Sequence, residues 1–113
     1  MAFITIQTNH LVSNEQQALI VDELGKAVAC VPNQSAQSIL IAFEQKPMWY
    51  QGNAPVALVA FRAFANEKHI GYGEFTAQIS QILHRTLNIE LGRIFVEFSD
   101  ITAFGIGGHY VER

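Results

Sequence analysis

Charge is scarce in this sequence. Only 15% of its 113 residues are Asp, Glu, Lys or Arg, against about 25% in an average soluble domain. The formal net charge is −3, and no cluster of Lys or Arg provides the electrostatic footprint of a nucleic-acid or anionic-membrane partner. Cysteine is nearly absent: Cys30 stands alone, which excludes an internal disulfide and suits a reducing compartment. At a helix end it reads as a small core residue rather than a nucleophile. No apolar run approaches the roughly 20 residues of a membrane span, and the N-terminus lacks a basic segment followed by an apolar one. A cytoplasmic location without a membrane partner is the expectation. His10, His69, His84 and His109 are scattered, with no carboxylate or cysteine at ligand spacing, so neither a metal nor a cofactor is expected.

What the chain has in abundance is apolar surface. Half of its residues are hydrophobic, in a length that reads as one domain, residues 1–113. Too little polar surface remains to cover such a core, so an apolar face is expected to be closed by further copies of the chain.

The opening segment Ala2-Phe3-Ile4-Thr5-Ile6-Gln7-Thr8-Asn9 is β-branched and aromatic and too short for a helix, so it reads as a strand. Because it starts at the chain terminus, it carries an α-amine whose ordinary pKa is about 7.7–8.0. Desolvation lowers such a group towards a general base at neutral pH; the plainer alternative is a strand with no chemical role. Ser13-Asn14-Glu15-Gln16 is a capping box, and the helix it opens is expected from Asn14 to Ala29, with Ile20, Leu24, Ala27 and Val28 on one face. Val31-Pro32-Asn33 ends it. Ser38–Phe43 is a near-continuous apolar run, as in a strand covered on both faces or in a parallel pair.

The loop Glu44–Asn53 holds Pro47, Met48, Trp49, Tyr50 and Gly52. It either walls a pocket or caps the core, and the buried area that aromatics supply favours capping. Pro55–Phe64 alternates over two apolar faces broken only by Arg62, whose guanidinium needs an anionic partner or water. A second helix is expected over Glu74–Leu87, with Phe75, Ile79, Ile82, Leu83 and Leu87 on its stripe and His84 beside it. Arg93–Ser99 is a strand, and Asp100–Arg113 a flexible tail with one short hairpin. Gly105-Ile-Gly-Gly108 precedes no helix and lacks the Lys and Ser or Thr of a phosphate loop.

The order is strand, helix, strand, twice over. Each half is a βαβ unit with a right-handed crossover. Two such units give an α+β domain, a four-stranded mixed sheet with two helices on one face, whose other apolar face packs against further subunits.

On these segments the chain resembles the tautomerase superfamily, in particular its macrophage migration inhibitory factor group. The matching stretches are Phe3–Asn9, Met48–Gly52, Pro55–Phe64, Leu87-Asn-Ile89, Arg93–Val96 and Asp100–Gly107. The resemblance implies a homotrimer in which an N-terminal proline amine shuttles a proton between keto and enol forms. Ala2 stands at that proline's position, and removal of Met1 would leave a primary amine there. The family's carboxylate-binding lysine aligns near Asn33, its pocket isoleucine with Phe64, and an aromatic near its C-terminus with Gly108. The tyrosine and asparagine given by a neighbouring subunit align with Phe95 and Glu97.

The resemblance thus implies Ala2, Arg62 and Glu97 as catalytic candidates, and Asn33, Phe64, Phe95 and Ile106 as residues against the substrate. Arg62 is either a replacement cation or an ion-pair partner of Glu97. Loss of the proline and the lysine implies that keto-enol tautomerase activity on a small carbonyl compound is weakened, lost or redirected. The alternatives are a working isomerase for a neutral carbonyl compound, and a non-catalytic trimeric binding protein on the same scaffold.

Overall fold

The computed structural model describes all 113 residues, Met1–Arg113. Strand β1 (Ala2–Thr8) leads to helix α1 (Asn14–Ala27) and strand β2 (Ile39–Gln45). Strand β3 (Ala57–Phe64), helix α2 (Tyr72–Leu87) and strand β4 (Ile94–Ile101) repeat the pattern, and β5 (Ala103–Ile106) with β6 (His109–Glu112) close the chain as a hairpin. The sheet order is β2-β1-β3-β4, with β1 parallel to β2, β3 parallel to β4, and β1 antiparallel to β3. This is the expected α+β arrangement of two βαβ units. No helix is long and apolar enough to cross a membrane.

Alternation assigns the two faces of the sheet. Ala2, Ile4 and Ile6 of β1, with Ala57, Val59, Phe61 and Ala63 of β3, are buried under the helices. They meet Ile20 and Leu24 of α1 and Phe75, Ile79, Leu83 and Leu87 of α2, the stripes read from helical spacing. Phe61 lies at the centre, edge-on to Phe75 at 5.0 Å and to Tyr72 and Phe98 at 5.8 Å. Full burial of one such ring contributes about 1.5–3 kcal/mol. Ser13 closes the capping box reciprocally with Gln16.

The other face is organised in registered rows, and nothing in the chain covers most of it. Leu40, Phe3, Arg62 and Ser99 form one row, Ala42, Thr5, Ala60 and Glu97 the next, and Glu44, Gln7, Leu58 and Phe95 a third. Leu40 and Phe95 remain exposed.

Several boundaries differ from the sequence reading. Helix α1 ends at Ala27, and Val28–Cys30 tightens into a 3₁₀ turn before Pro32. A second 3₁₀ turn, Ala36–Ser38, takes Ser38 out of β2. As an edge strand, β2 is half exposed rather than covered on both faces. Helix α2 begins at Tyr72, because Gly71 at φ +83° lets the chain turn into it. A side chain there would put its Cβ 2.2 Å from the Cys30 carbonyl oxygen. The C-terminal segment is an ordered hairpin, turned by Gly107 and Gly108 at φ +58° and +85°, the signs a two-residue type I′ turn requires.

Candidate functional site

Strand β1 places the start of the chain at one end of the sheet. Ala2 is fully buried, opposite Ile39 and Ala63, and the Met1 carbonyl accepts a hydrogen bond from the Phe64 N–H at 3.0 Å. Burial holds the α-amine of Met1 below its ordinary value of about 8. Around it on the open face stand three phenylalanines. The Phe104 ring lies edge-on to Phe64 at 5.0 Å and to Phe3 at 6.3 Å. Arg62 extends over Phe3, with its guanidinium carbon 5.4 Å from the ring centre.

Arg62 forms no ion pair within the chain, whereas Arg85, Arg113, Lys26 and Lys46 all do. Arg93 is committed differently, to three backbone carbonyls. The anionic partner expected for Arg62 is therefore absent from its own chain, and exposure to water satisfies it instead. Glu97 lies one row further along, opposite Ala60, also without an ion-pair partner. Phe95 lies a row beyond that, level with Gln7. Gln7 lies five residues on from Ala2 along β1, which is roughly 17 Å of strand.

The remaining candidates divide in the same way. Asn33 sits at φ +65° in the turn after α1 and is exposed. Its neighbour Pro32 shares a small cleft with Ala65–Ile70, the segment that follows β3. Ile106 is on the same face of β5 as Phe104 but beyond the aromatic cluster, and it is exposed. Within one chain, then, Arg62 and Phe64 lie with the N-terminus, while Phe95 and Glu97 stand apart from it. The best-formed concavities of the single chain include none of Ala2, Arg62, Phe95 and Glu97. The largest, about 500 Å³, is a groove between α1 and α2, where Glu23 and Arg85 already pair with each other.

Phe104 is the site residue that sequence reasoning passed over. It lies in β5, three residues past Ile101, which pairs with Phe64 at the end of β4. The aromatic loop also departs from expectation. Trp49 is 75% exposed, and Tyr50 packs on Phe95 of the open face, so the loop does not cap the core. His84, beside the apolar stripe of α2, has its Nδ1 2.8 Å from the Ile89 carbonyl oxygen just past the end of the helix.

No protein-family model matches the chain, and no curated protein matches it by sequence. Solved structures do. The MIF2 protein of Leishmania major superposes with a TM-score of 0.89 at 19% identity, covering 98% of this chain and 97% of that one. The macrophage migration inhibitory factor-like protein of Entamoeba histolytica gives 0.86 at 15% identity, covering 97% and 98%. A fused 4-OT, solved as an asymmetric trimer, gives 0.77 at 23% identity, covering 95% and 94%. The chain shares the fold of these macrophage migration inhibitory factor-like and 4-OT structures, and its C-terminal hairpin forms a separate two-stranded sheet.

Proposed function

We propose that the protein is a cytoplasmic homotrimer whose sites lie between copies, and that it interconverts keto and enol forms of a small carbonyl compound with weakened or redirected activity. One observation carries this reading. The start of the chain is the end of a central strand, where a desolvated amine stands beside an unpaired guanidinium and three aromatic rings.

The chemistry follows from those groups. With Met1 removed, the amine belongs to Ala2, and the Phe64 N–H that bonded the Met1 carbonyl is left free to bind a substrate oxygen. The neutral amine takes a proton from the carbon next to the carbonyl. That C–H pair becomes the C=C bond of an enolate, and the carbonyl π pair moves onto oxygen. Arg62 holds an anionic group of the substrate or stabilises the charge that develops on that oxygen. Phe64 and Phe104 line the apolar side, with Asn33 and Ile106 at its margins. Phe95, roughly 17 Å of strand from its own N-terminus, is supplied by a second copy, and Glu97 of the same strand comes with it. Glu97 acts there as a second proton carrier or as the partner of Arg62.

The test is conversion of enolic phenylpyruvate to its keto form, on protein whose first residue has been fixed by intact mass. Turnover with Ala2 at the terminus, abolished when the amine is acetylated, is the expected result. A general base contributes about 10²–10⁴-fold to such a step, so acetylation should remove activity by that factor. The complete burial of Ala2 and the space taken by Met1 favour a second reading, a non-catalytic trimeric binding protein. Equal and absent turnover in both forms would establish it over the first.

A further inference from the structure

Tyr50 belongs to no function described so far, yet both its backbone carbonyl and its ring are engaged by Arg93. It sits in the loop between β2 and β3, which two side chains fix from opposite sides. Arg93 donates from Nη1 to the Tyr50 carbonyl at 2.6 Å, from Nη2 to that of Ala54 at 2.9 Å, and from Nε to that of Pro55 at 2.9 Å. Its guanidinium also lies 5.4 Å from the centre of the Tyr50 ring. Asn9 donates to the carbonyls of Met48, Asn53 and Ala54 and accepts from the Val56 N–H.

Besides Arg93, the Tyr50 ring meets one other side chain. It lies edge-on to Phe95 at 4.9 Å, with an interplanar angle of 79°. Its hydroxyl makes no hydrogen bond within the chain, whereas the Tyr110 hydroxyl reaches Glu112. Phe95, for its part, is an aromatic without any polar atom on the open face. Wherever Phe95 is carried, Tyr50 goes with it and brings a free O–H.

We propose that Tyr50 is the hydrogen-bond donor that a second copy brings to the N-terminal site, where its hydroxyl binds the carbonyl oxygen of the substrate. The inference rests on the reading that Phe95 of one copy faces the N-terminal cluster of another. As the enolate forms, the oxygen that gains the π pair accepts the Tyr50 hydrogen bond, and no proton leaves the phenol. The donor brings one O–H and no charge, so it suits the ketone or aldehyde oxygen once Arg62 is matched to an anionic group. Arg62 remains the position for an anionic substituent. The substrate class is thus a small carbonyl acid whose two oxygen functions are read by different copies.

The experiment uses the assembled protein with Ala2 confirmed at its terminus. Tyr50→Phe keeps the ring on Phe95 and removes only the hydroxyl. It should lower kcat for phenylpyruvate by about 10²-fold, as expected for loss of one preorganised donor, with little change in KM. Phe95→Tyr in the same variant should restore part of that loss by returning a hydroxyl to the adjoining ring. Unchanged kcat in Tyr50→Phe would overturn the inference while leaving the tautomerase reading intact.

A second readout separates the two. With 3-fluorotyrosine incorporated, the fluorine resonance that disappears in Tyr50→Phe is assigned to Tyr50, and phenylpyruvate is titrated against it. A shift without any turnover retains Tyr50 as a ligand contact and rejects the tautomerase reading. Turnover without a shift rejects Tyr50 alone, and absence of both rejects both.

Discussion

Tyr72 is the side chain least at ease in its surroundings. Only 7% of it is exposed, and its hydroxyl is buried without a hydrogen-bond partner, a condition that costs about 1–3 kcal/mol. Its ring is stacked between His69 at 5.5 Å and Phe98 at 4.3 Å, which fixes the hydroxyl where it is. Burial raises the phenol above its ordinary pKa, the Asp100 carboxylate adds to the rise, and the nearby Asn66 amide opposes it without reaching hydrogen-bond geometry. The folded state therefore keeps this proton longer than the unfolded chain does. Stability is complete below the unfolded value of about 10 and falls as pH rises beyond it towards the folded one. Tyr72→Phe should leave the protein as stable or more stable by about 1 kcal/mol at pH 7. It should also flatten the alkaline limb of a denaturant-midpoint against pH series. A variant clearly less stable at pH 7 would mean that the hydroxyl has a partner after all.

Single residues differed in how far they could be read in advance. Arg62 announced itself, because a guanidinium interrupting an alternating apolar strand has no place in a dry core, and it stands on the uncovered face. It forms no pair with Glu97 within one chain, although register makes the two diagonal neighbours on the open face, and register between strands distant in sequence leaves no local mark. Phe104 was hidden for a related reason: nothing next to it in sequence distinguishes a ring that folds back onto Phe3 and Phe64 from one left in solvent.

Among the elements, the loop between β2 and β3 has the most distinctive construction. Asn9, just beyond the end of β1, replaces the hydrogen bonds that a regular element would supply and so turns an irregular segment into a rigid one. Asn9→Ala should lower stability by about 1–3 kcal/mol through the backbone groups it leaves unpaired. It should also speed hydrogen exchange at Tyr50 and Val56 well beyond the change in global stability. Protection that falls only in proportion to the global value would show that Arg93 holds the loop alone. The helices and strands themselves were largely legible, since apolar spacing of 3.6 and 2 and the Ser13 capping box are local signals. The 3₁₀ turns at Val28–Cys30 and Ala36–Ser38 were not, because they depend on how the chain packs after each element ends. Nor was the exposure of Trp49 and Tyr50. Aromatic content says how much area is available to bury, and leaves open which surface will bury it.

The whole molecule presents one face of its sheet finished and the other unfinished. Phe3, Leu40, Leu58 and Phe95 lie there among Arg62, Glu97 and Glu44, charges of both signs, and neither Arg62 nor Glu97 is neutralised within the chain. Exposed apolar side chains among charges of both signs suit contact with further copies of the chain, which in the proposed trimer meet head to tail. The roughly 17 Å of strand between the level of Phe95 and the N-terminus then has a genetic meaning. Two defective forms of this protein can repair each other. Chains with an acetylated amine lack the first half of every site they begin, and Phe95→Ala chains lack the second half of every site they complete. Unfolded and refolded together, the two silent preparations should recover measurable turnover. In each mixed ring, one junction joins an intact amine to an intact Phe95. A site contained within a single chain would stay silent in every mixture.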